Sequence, residues 1–325
     1  MSQFYEYIIN PVVANISKYG NNNAFCIKHT YFTYRQFGET VSKIRDAFAR
    51  IEICGTNVGL VINDDIETYA SIFALWLEGL CYVPLHPGWP KERCMNIVEQ
   101  VDLKFIIDSS ESNRFEGLEI IRSKDLLFTQ YNYAPDTTVC DEQLAYILFT
   151  SGSTGQPKGV QISRQNIGAF MDSFWKSGII ITEADRCLQC FDLSFDVSVQ
   201  GYLVPLTKGA CCYTVPHEEI KYVYAANLIE DHKLTFGAMA PSMLRYLKPY
   251  YDELDMSSLR YCILTAEACP IDLTEDWRQV AIKAEIYDFY GPTEATIYCT
   301  YYKLPPGGGG GQNFKRYCLY RETYG

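Results

Sequence analysis

Between Leu148 and Ile167 the chain reads LFTSGSTGQPKGVQISRQNI, a run that packs almost nothing although it joins an apolar segment, Tyr146–Phe149, to a helix-like one, Arg164–Phe174. Three glycines, Gly152, Gly155 and Gly159, let the backbone take left-handed conformations and come close to a ligand. Successive backbone N–H groups in such a turn form an anion-binding concavity. Thr150, Ser151, Ser153 and Thr154 add hydroxyl donors, and Lys158 adds a point positive charge. That inventory suits a polyphosphate. A flexible Gly/Ser linker is the plain alternative, but a linker would not follow an apolar strand at once and end in Pro157-Lys158-Gly159 before a helix. Spacing excludes a Walker A loop, which needs G-x-x-x-x-G-K-[ST], because Lys158 stands between Pro157 and Gly159.

Outward from this loop, short apolar runs alternate with helical stretches. Asn57–Asn63, Cys81–Leu85, Lys104–Asp108, Leu234–Met239, Tyr261–Leu264 and Glu285–Tyr287 read as strands, and Glu67–Glu78 reads as a helix. The turn HPGWPKER leads into a further helix, with Pro90 near its first turn. The alternation predicts an α/β fold whose mainly parallel sheets are sandwiched by helices. The tail LPPGGGGGQNFKRYCLYRETYG differs: after five consecutive glycines it shows no periodicity, and it reads as neither helix nor strand.

A chain of 325 residues, 48% of them hydrophobic, can bury a sizeable core. Its net charge of -11 repels phosphate-rich surfaces and argues against nucleic acid or an anionic membrane as a partner. The 13 cysteines are odd in number and scattered through apolar segments, Cys26, Cys81, Cys211, Cys212 and Cys262 among them. That usage fits buried thiols in a reducing cytosol better than a disulfide framework. Cys187 and Cys190 form a lone CxxC without a second pair or nearby histidines, which reads as packing. The N-terminus lacks the basic start and long apolar run of a signal peptide, and no stretch is long enough to span a membrane, so a cytoplasmic location is expected.

The T-S-G-S-T-G-x-P-K-G pattern of Thr150–Gly159 resembles the phosphate loop of the adenylate-forming (AMP-binding) superfamily: acyl-CoA synthetases, luciferases and the adenylation domains of nonribosomal peptide synthetases. A second segment agrees, because YDFYGPTEATIY, Tyr287–Tyr298, is similar to that family's Y-G-x-T-E hallmark. The resemblance implies that Thr150, Ser151, Gly152, Ser153, Thr154, Gly155 and Lys158 meet the phosphates of ATP. It implies that Tyr290 packs on adenine, Asp288 meets the adenine amino group, Thr293 contacts the α-phosphate and Glu294 holds Mg²⁺, with Gly291 also among the nucleotide-binding residues. Lys158, Thr293 and Glu294 would be the catalytic residues. The residue types suit those roles: a flat ring for stacking, a hydroxyl for a phosphate oxygen and a carboxylate for a hard cation.

FDLSFDVSVQGYLVPLTKGA, Phe191–Ala210, resembles the F-D-x-S-F-D-x-S-V segment of the amino-acid branch, in which the second aspartate, here Asp196, pairs with the substrate's α-ammonium. A carboxylate in an apolar stretch is costly unless it meets a cation; the bland alternative is an aspartate capping a helix. HPGWPKER is also similar to that branch's D-P-x-x-P-x-x-R, with His86 in place of the usual aspartate. The resemblance lines the side-chain pocket with Val197, Gln200, Ala238, Leu264, Ala266, Phe289, Ile297 and Tyr298. Gln200 replaces a frequent tryptophan, Ala266 stands where glycine is common, and the bulk of Phe289 and Tyr298 implies a small or medium substrate side chain.

The implied reaction joins an amino acid's carboxylate to ATP, releases pyrophosphate and passes the acyl group to the phosphopantetheine thiol of a carrier protein. The match covers Met1 to Leu304. The ribose-binding Y-x-T-G-D segment, the hinge and the small C-terminal domain with its lysine are missing, so the sequence implies a C-terminally truncated enzyme of weak activity or none. Residues 1–304 then form an incomplete N-terminal adenylation domain and residues 305–325 a Gly-rich, disordered tail. Back-translating Gln312–Gly325 and shifting the frame by one base gives RILNGIVSIGKPM with permissible codons, similar to the family's G-x-V-x-I-G-x-P, so the tail reads as out of frame. The alternatives are an acyl- or aryl-acid CoA ligase of the same superfamily and a non-catalytic nucleotide-binding remnant.

Overall fold

A computed structural model describes residues 2–50, 56–134, 140–150, 157–305 and 317–319. The chain divides into two compact units, Met1–Asn22 with Phe32–Gly168, and Asn23–Tyr31 with Ala169–Gly325.

The first unit is built on a six-stranded sheet in the order Glu119–Arg122, Phe105–Asp108, Asn57–Val61, Cys81–Leu85, Leu144–Thr150, Lys158–Ser163, among the described residues. The first five strands run parallel. The helices that flank them start where side chains satisfy the free N–H groups. Thr33 and Gln36 form a capping box on Tyr34–Phe48, and the Asp65 carboxylate accepts from the Thr68 N–H at the start of Ile66–Leu77. Ile66–Leu77 is buried all round. Its last turn is held by Arg164, fully buried, whose guanidinium donates to the Trp76 carbonyl at 2.8 Å and the Leu80 carbonyl at 3.2 Å. A cation there also opposes the negative end of the helix dipole. Burial lowers the pKa of this guanidinium to about 10, so it stays charged at neutral pH.

One sequence expectation is corrected here. The stretch after the glycine-rich loop enters a strand, Lys158–Ser163, before the helix Arg164–Trp175 begins. Lys158–Ser163 pairs antiparallel with Leu144–Thr150, so the loop is the tip of a hairpin. The reason is local: Val160 and Ile162 alternate with Gln161 and Ser163, a period of two that only a strand satisfies.

The second unit carries a nine-stranded sheet, among the described residues, in the order Tyr317–Cys318, Thr300–Lys303, Glu285–Tyr290, Tyr261–Leu264, Phe236–Met239, Arg186–Gln189, Cys211–Thr214, Asn23–Ile27, Thr30–Thr33. Its central strands are parallel, and the two at the Tyr317 edge are antiparallel. Helices Val197–Leu206, Lys221–His232, Pro241–Leu247 and Ile271–Arg278 alternate with the strands, which gives the α/β architecture expected from the sequence.

The tail is the second correction, since it contains a strand. Tyr317 and Cys318 pair with Tyr301 and Thr300, the Leu319 N–H donates to the Cys299 carbonyl at 3.0 Å, and Leu319 is buried. Thr300–Lys303 would otherwise present an open edge, and an open edge accepts almost any extended segment within reach. Residues 306–316 and 320–325, with the glycine run, lie outside the described residues, as does most of the segment read as out of frame.

Cys26, Cys81, Cys187, Cys190, Cys211, Cys212 and Cys262 are buried and free. Burial pushes the Cys190 and Cys262 thiols up to about 12, so they stay protonated and unreactive. The Cys190 S–H donates to the Ala238 carbonyl at 3.2 Å, so this half of the CxxC serves packing. No helix among the described residues is long and apolar enough to cross a membrane.

Candidate active site

In the first unit the hairpin places Lys158 directly opposite Thr150 across the ladder, with the Lys158 side chain exposed. Ser151, Gly152, Ser153, Thr154 and Gly155 lie outside the described residues. Behind the tip, Gly159 is required by space: a Cβ there would lie 2.9 Å from Ile147 and 3.1 Å from the Phe149 ring. Glycine thus lets the strand after the loop lie flat on the core.

In the second unit the strand Glu285–Tyr290 sorts its residues by alternation. Tyr287 and Phe289 turn to one face and are buried, while Asp288 and Tyr290 turn to the other. Tyr290 is 56% exposed. Gly291 then packs backbone to backbone on the returning chain, and the 3₁₀ turn Thr293–Ala295 carries Glu294 to the surface. An exposed carboxylate at the lip of this turn fits a hard divalent cation such as Mg²⁺. Thr296 and Ile297 follow in left-handed conformations, at φ of 59° and 69°. For a β-branched residue such as Ile297 that conformation is strained by about 1–3 kcal/mol. It turns the chain so that Ile297 and Tyr298 enter the interior, where both are almost fully buried.

Asp196 lies just before helix Val197–Leu206 and is 7% exposed. It stands at the N-cap position, where its side chain makes no capping hydrogen bond. Oδ2 is buried without a hydrogen-bond partner among the described residues. Burial pushes the carboxyl up to about 6, against the Thr293 hydroxyl and backbone N–H groups that pull it down. A group in this state is poised to accept a cation.

The segment before it is braced. Gln189, buried, clasps the Phe191 backbone from both sides, its Nε2 donating to the carbonyl at 2.7 Å and its Oε1 accepting from the N–H at 3.1 Å. Gly201 leaves room for that clasp, since a Cβ there would come within 2.6 Å of the Gln189 Oε1. The Asp192 carboxylate accepts from the Ser194 N–H and hydroxyl and closes the turn.

Val197, Gln200, Ala238, Leu264, Phe289, Ile297 and Tyr298, the residues expected to line the side-chain pocket, are each buried. Tyr298 connects several of them: its ring packs on Phe289 at 5.0 Å and on Phe170 at 5.9 Å, and its hydroxyl donates to the Gln200 Oε1 at 3.4 Å. Ala266 is exposed, at φ 69°, the conformation for which glycine is the cheaper residue. Gln189, Thr265 and Phe170 were not read as functional from the sequence. Thr265 bonds the Tyr298 hydroxyl and sits at the end of strand Tyr261–Leu264, but nothing in its neighbourhood in the chain announces this.

A family model described as AMP-binding enzyme matches residues 12–314. The chain belongs to that family. Among curated relatives it is 29% identical over 280 residues to the hybrid PKS-NRPS synthetase TAS1 of Pyricularia oryzae, covering 84% of this chain and 16% of the relative. It is 26% identical over 293 residues to gramicidin S synthase 1 of Brevibacillus brevis, covering 88% of this chain and 26% of the relative. It is 29% identical over 262 residues to syringomycin synthase SyrB1 of Pseudomonas syringae pv. syringae, covering 77% of this chain and 42% of that protein. This AMP-binding chain therefore spans less than half the length of each. In fold it is similar to the nonribosomal peptide synthetase FmoA3, with a TM-score of 0.84 at 22% identity over 96% of this chain and 34% of that one. It is also similar to the N-terminal subdomain of Klebsiella oxytoca NpsA in complex with 3-hydroxyanthranilyl-AMSN, with a TM-score of 0.79 at 20% identity over 92% of this chain and 75% of that one.

Proposed function

We propose that this protein activates an amino acid: its carboxylate oxygen attacks the α-phosphorus of ATP, the bond to the bridging oxygen breaks, and aminoacyl-AMP and pyrophosphate result. The observation that carries the reading is the unpartnered, buried Oδ2 of Asp196. An α-ammonium is the cation it lacks, whereas a fatty or aryl acid would leave the charge unpaired. With the ammonium held there, the substrate's carboxylate has a fixed direction, and positioning of this kind is a large part of what such enzymes supply.

Lys158, with Thr150 and the loop between them, meets the β- and γ-phosphates. Tyr290 stacks on adenine beside Gly291, Asp288 meets its amino group, and Thr293 contacts the α-phosphate. Mg²⁺ bound at Glu294 would neutralise charge on the phosphates. The product fits transfer to the thiol of a carrier protein, and a structural neighbour is described as an NRPS protein containing adenylation and PCP domains. Another is an FmoA3 form bound to alpha-methyl-L-serine-AMP, which pairs an amino acid with AMP in this fold.

Calorimetric titration of the chain with non-hydrolysable acyl-sulfamoyladenosines tests the reading. Aminoacyl compounds should bind at least about tenfold more tightly than their des-amino counterparts, and Asp196→Asn should erase the difference. Equal affinity for the two series in the unaltered chain overturns it.

A further inference from the structure

Gln200, on helix Val197–Leu206, is a polar side chain that burial leaves incomplete, as it does Asp196 just before the helix. It has no exposed surface, its Oε1 accepts from the Tyr298 hydroxyl, and its Nε2 is buried without a hydrogen-bond partner among the described residues. A buried amide end without a partner is destabilising, and native folds rarely keep one without a use. Gln200 follows Asp196 by four positions, and Asp196 already has helical backbone angles, so both side chains lie on one helix face a turn apart. One face thus presents two unmet demands: an acceptor that lacks a cation, and a turn further along an amide that lacks its hydrogen bond.

We propose that the amino acid carries a neutral side chain with an oxygen, a hydroxyl or a carboxamide, that completes the Gln200 amide while its α-ammonium meets Asp196. The inference rests on the amino-acid reading above and names the substrate class. The contact at Gln200 argues for neutrality. Its partner Tyr298 packs on Phe289 and Phe170, and neither the phenol nor those rings would balance a charged side chain. The incomplete amide also argues against a purely aliphatic substrate, which would bury it for good without a partner. A site built around a hydrogen bond rejects an analogue that lacks it far more strongly than an apolar pocket rejects an added hydroxyl.

The experiment titrates the full chain with matched aminoacyl-sulfamoyladenosines: threonyl against valyl, and glutaminyl or asparaginyl against leucyl. In at least one matched pair the oxygen-bearing member should bind at least about tenfold more tightly. Gln200→Met, of similar length and without the amide, should bring that ratio to about one while the aliphatic member still binds. If Gln200→Met does not fold, the wild-type comparison decides alone. Equal or tighter binding of the aliphatic member in every pair overturns this inference and leaves the amino-acid reading in place. Equal or tighter binding of des-amino analogues overturns that reading, and this inference with it.

Discussion

The backbone of Gly291 lies directly against that of Tyr298: a Cβ at position 291 would stand 2.6 Å from the Tyr298 Cα and 2.6 Å from the Ile297 carbonyl oxygen. The strand that carries Tyr290 and the turn that returns Tyr298 to the interior are thereby held in contact. Neither neighbour is a flexible side chain that could move aside. Gly291→Ala should therefore destabilise the protein by about 2 kcal/mol, within the range for overpacking, and weaken AMP binding. Urea unfolding and titration with AMP check both parts; unchanged stability would show that the contact yields.

Asp196 gives a pH signature of defined sign. Its folded pKa of about 6 lies above the ordinary 3.8. The folded chain therefore holds the proton more tightly than the unfolded one, and the stability this contributes is full below about pH 4 and lost as the pH rises through about 6. A shift of that size corresponds to about 3 kcal/mol. Without ligand, Asp196→Asn should stabilise the fold by up to about 3 kcal/mol at pH 8 relative to its effect at pH 4. Urea unfolding at the two pH values measures this, and an Asn variant without a pH-dependent gain would contradict it.

Affinity for the ammonium should run the other way across the same window. Only the ionised carboxylate attracts a cation, so aminoacyl-sulfamoyladenosine binding should tighten from pH 5 to pH 7 and level off above it. The des-amino series should show no such rise.

Lys158 is exposed, so its loss should cost the fold little. Lys158→Ala should leave the unfolding midpoint within about 0.5 kcal/mol of the parent and weaken ATP binding at least about tenfold. An ATP affinity equal to that of the parent would remove the phosphate role assigned to the hairpin.

Arg164 has the opposite profile. Its guanidinium is buried and satisfies the carbonyls of Trp76 and Leu80. Arg164→Met takes the guanidinium donor from both and leaves the Trp76 carbonyl to backbone donors such as the Gly79 N–H at 3.3 Å, so it should destabilise the first unit by about 3 kcal/mol. Denaturant unfolding read from tryptophan fluorescence follows it directly, since Trp76 lies in the same core.

Most of the architecture was legible in order along the chain. The runs at Asn57, Cys81 and Tyr261 became strands because they are apolar, short and bounded by polar turns. The hairpin strand Lys158–Ser163 was missed because its own first residues, Lys158 and Gly159, continue the glycine-rich pattern of the loop. The tail strand at Tyr317 was missed for a different reason: the open edge it pairs with, at Thr300, is invisible to any local pattern.

The amino-acid sequence by itself determined the family and the alternation of strand and helix, because those depend on motifs and periodicity within short windows. Only the tertiary structure decided that the Asp196 side chain makes no capping bond, that its Oδ2 and the Gln200 Nε2 are both left without partners among the described residues, and that Tyr298 joins Gln200 to the aromatic cluster around Phe289. Burial and the absence of a hydrogen-bond partner are properties of all the surrounding atoms together. Residues 196, 200, 265, 289 and 298 meet only when the strands of the second unit have paired.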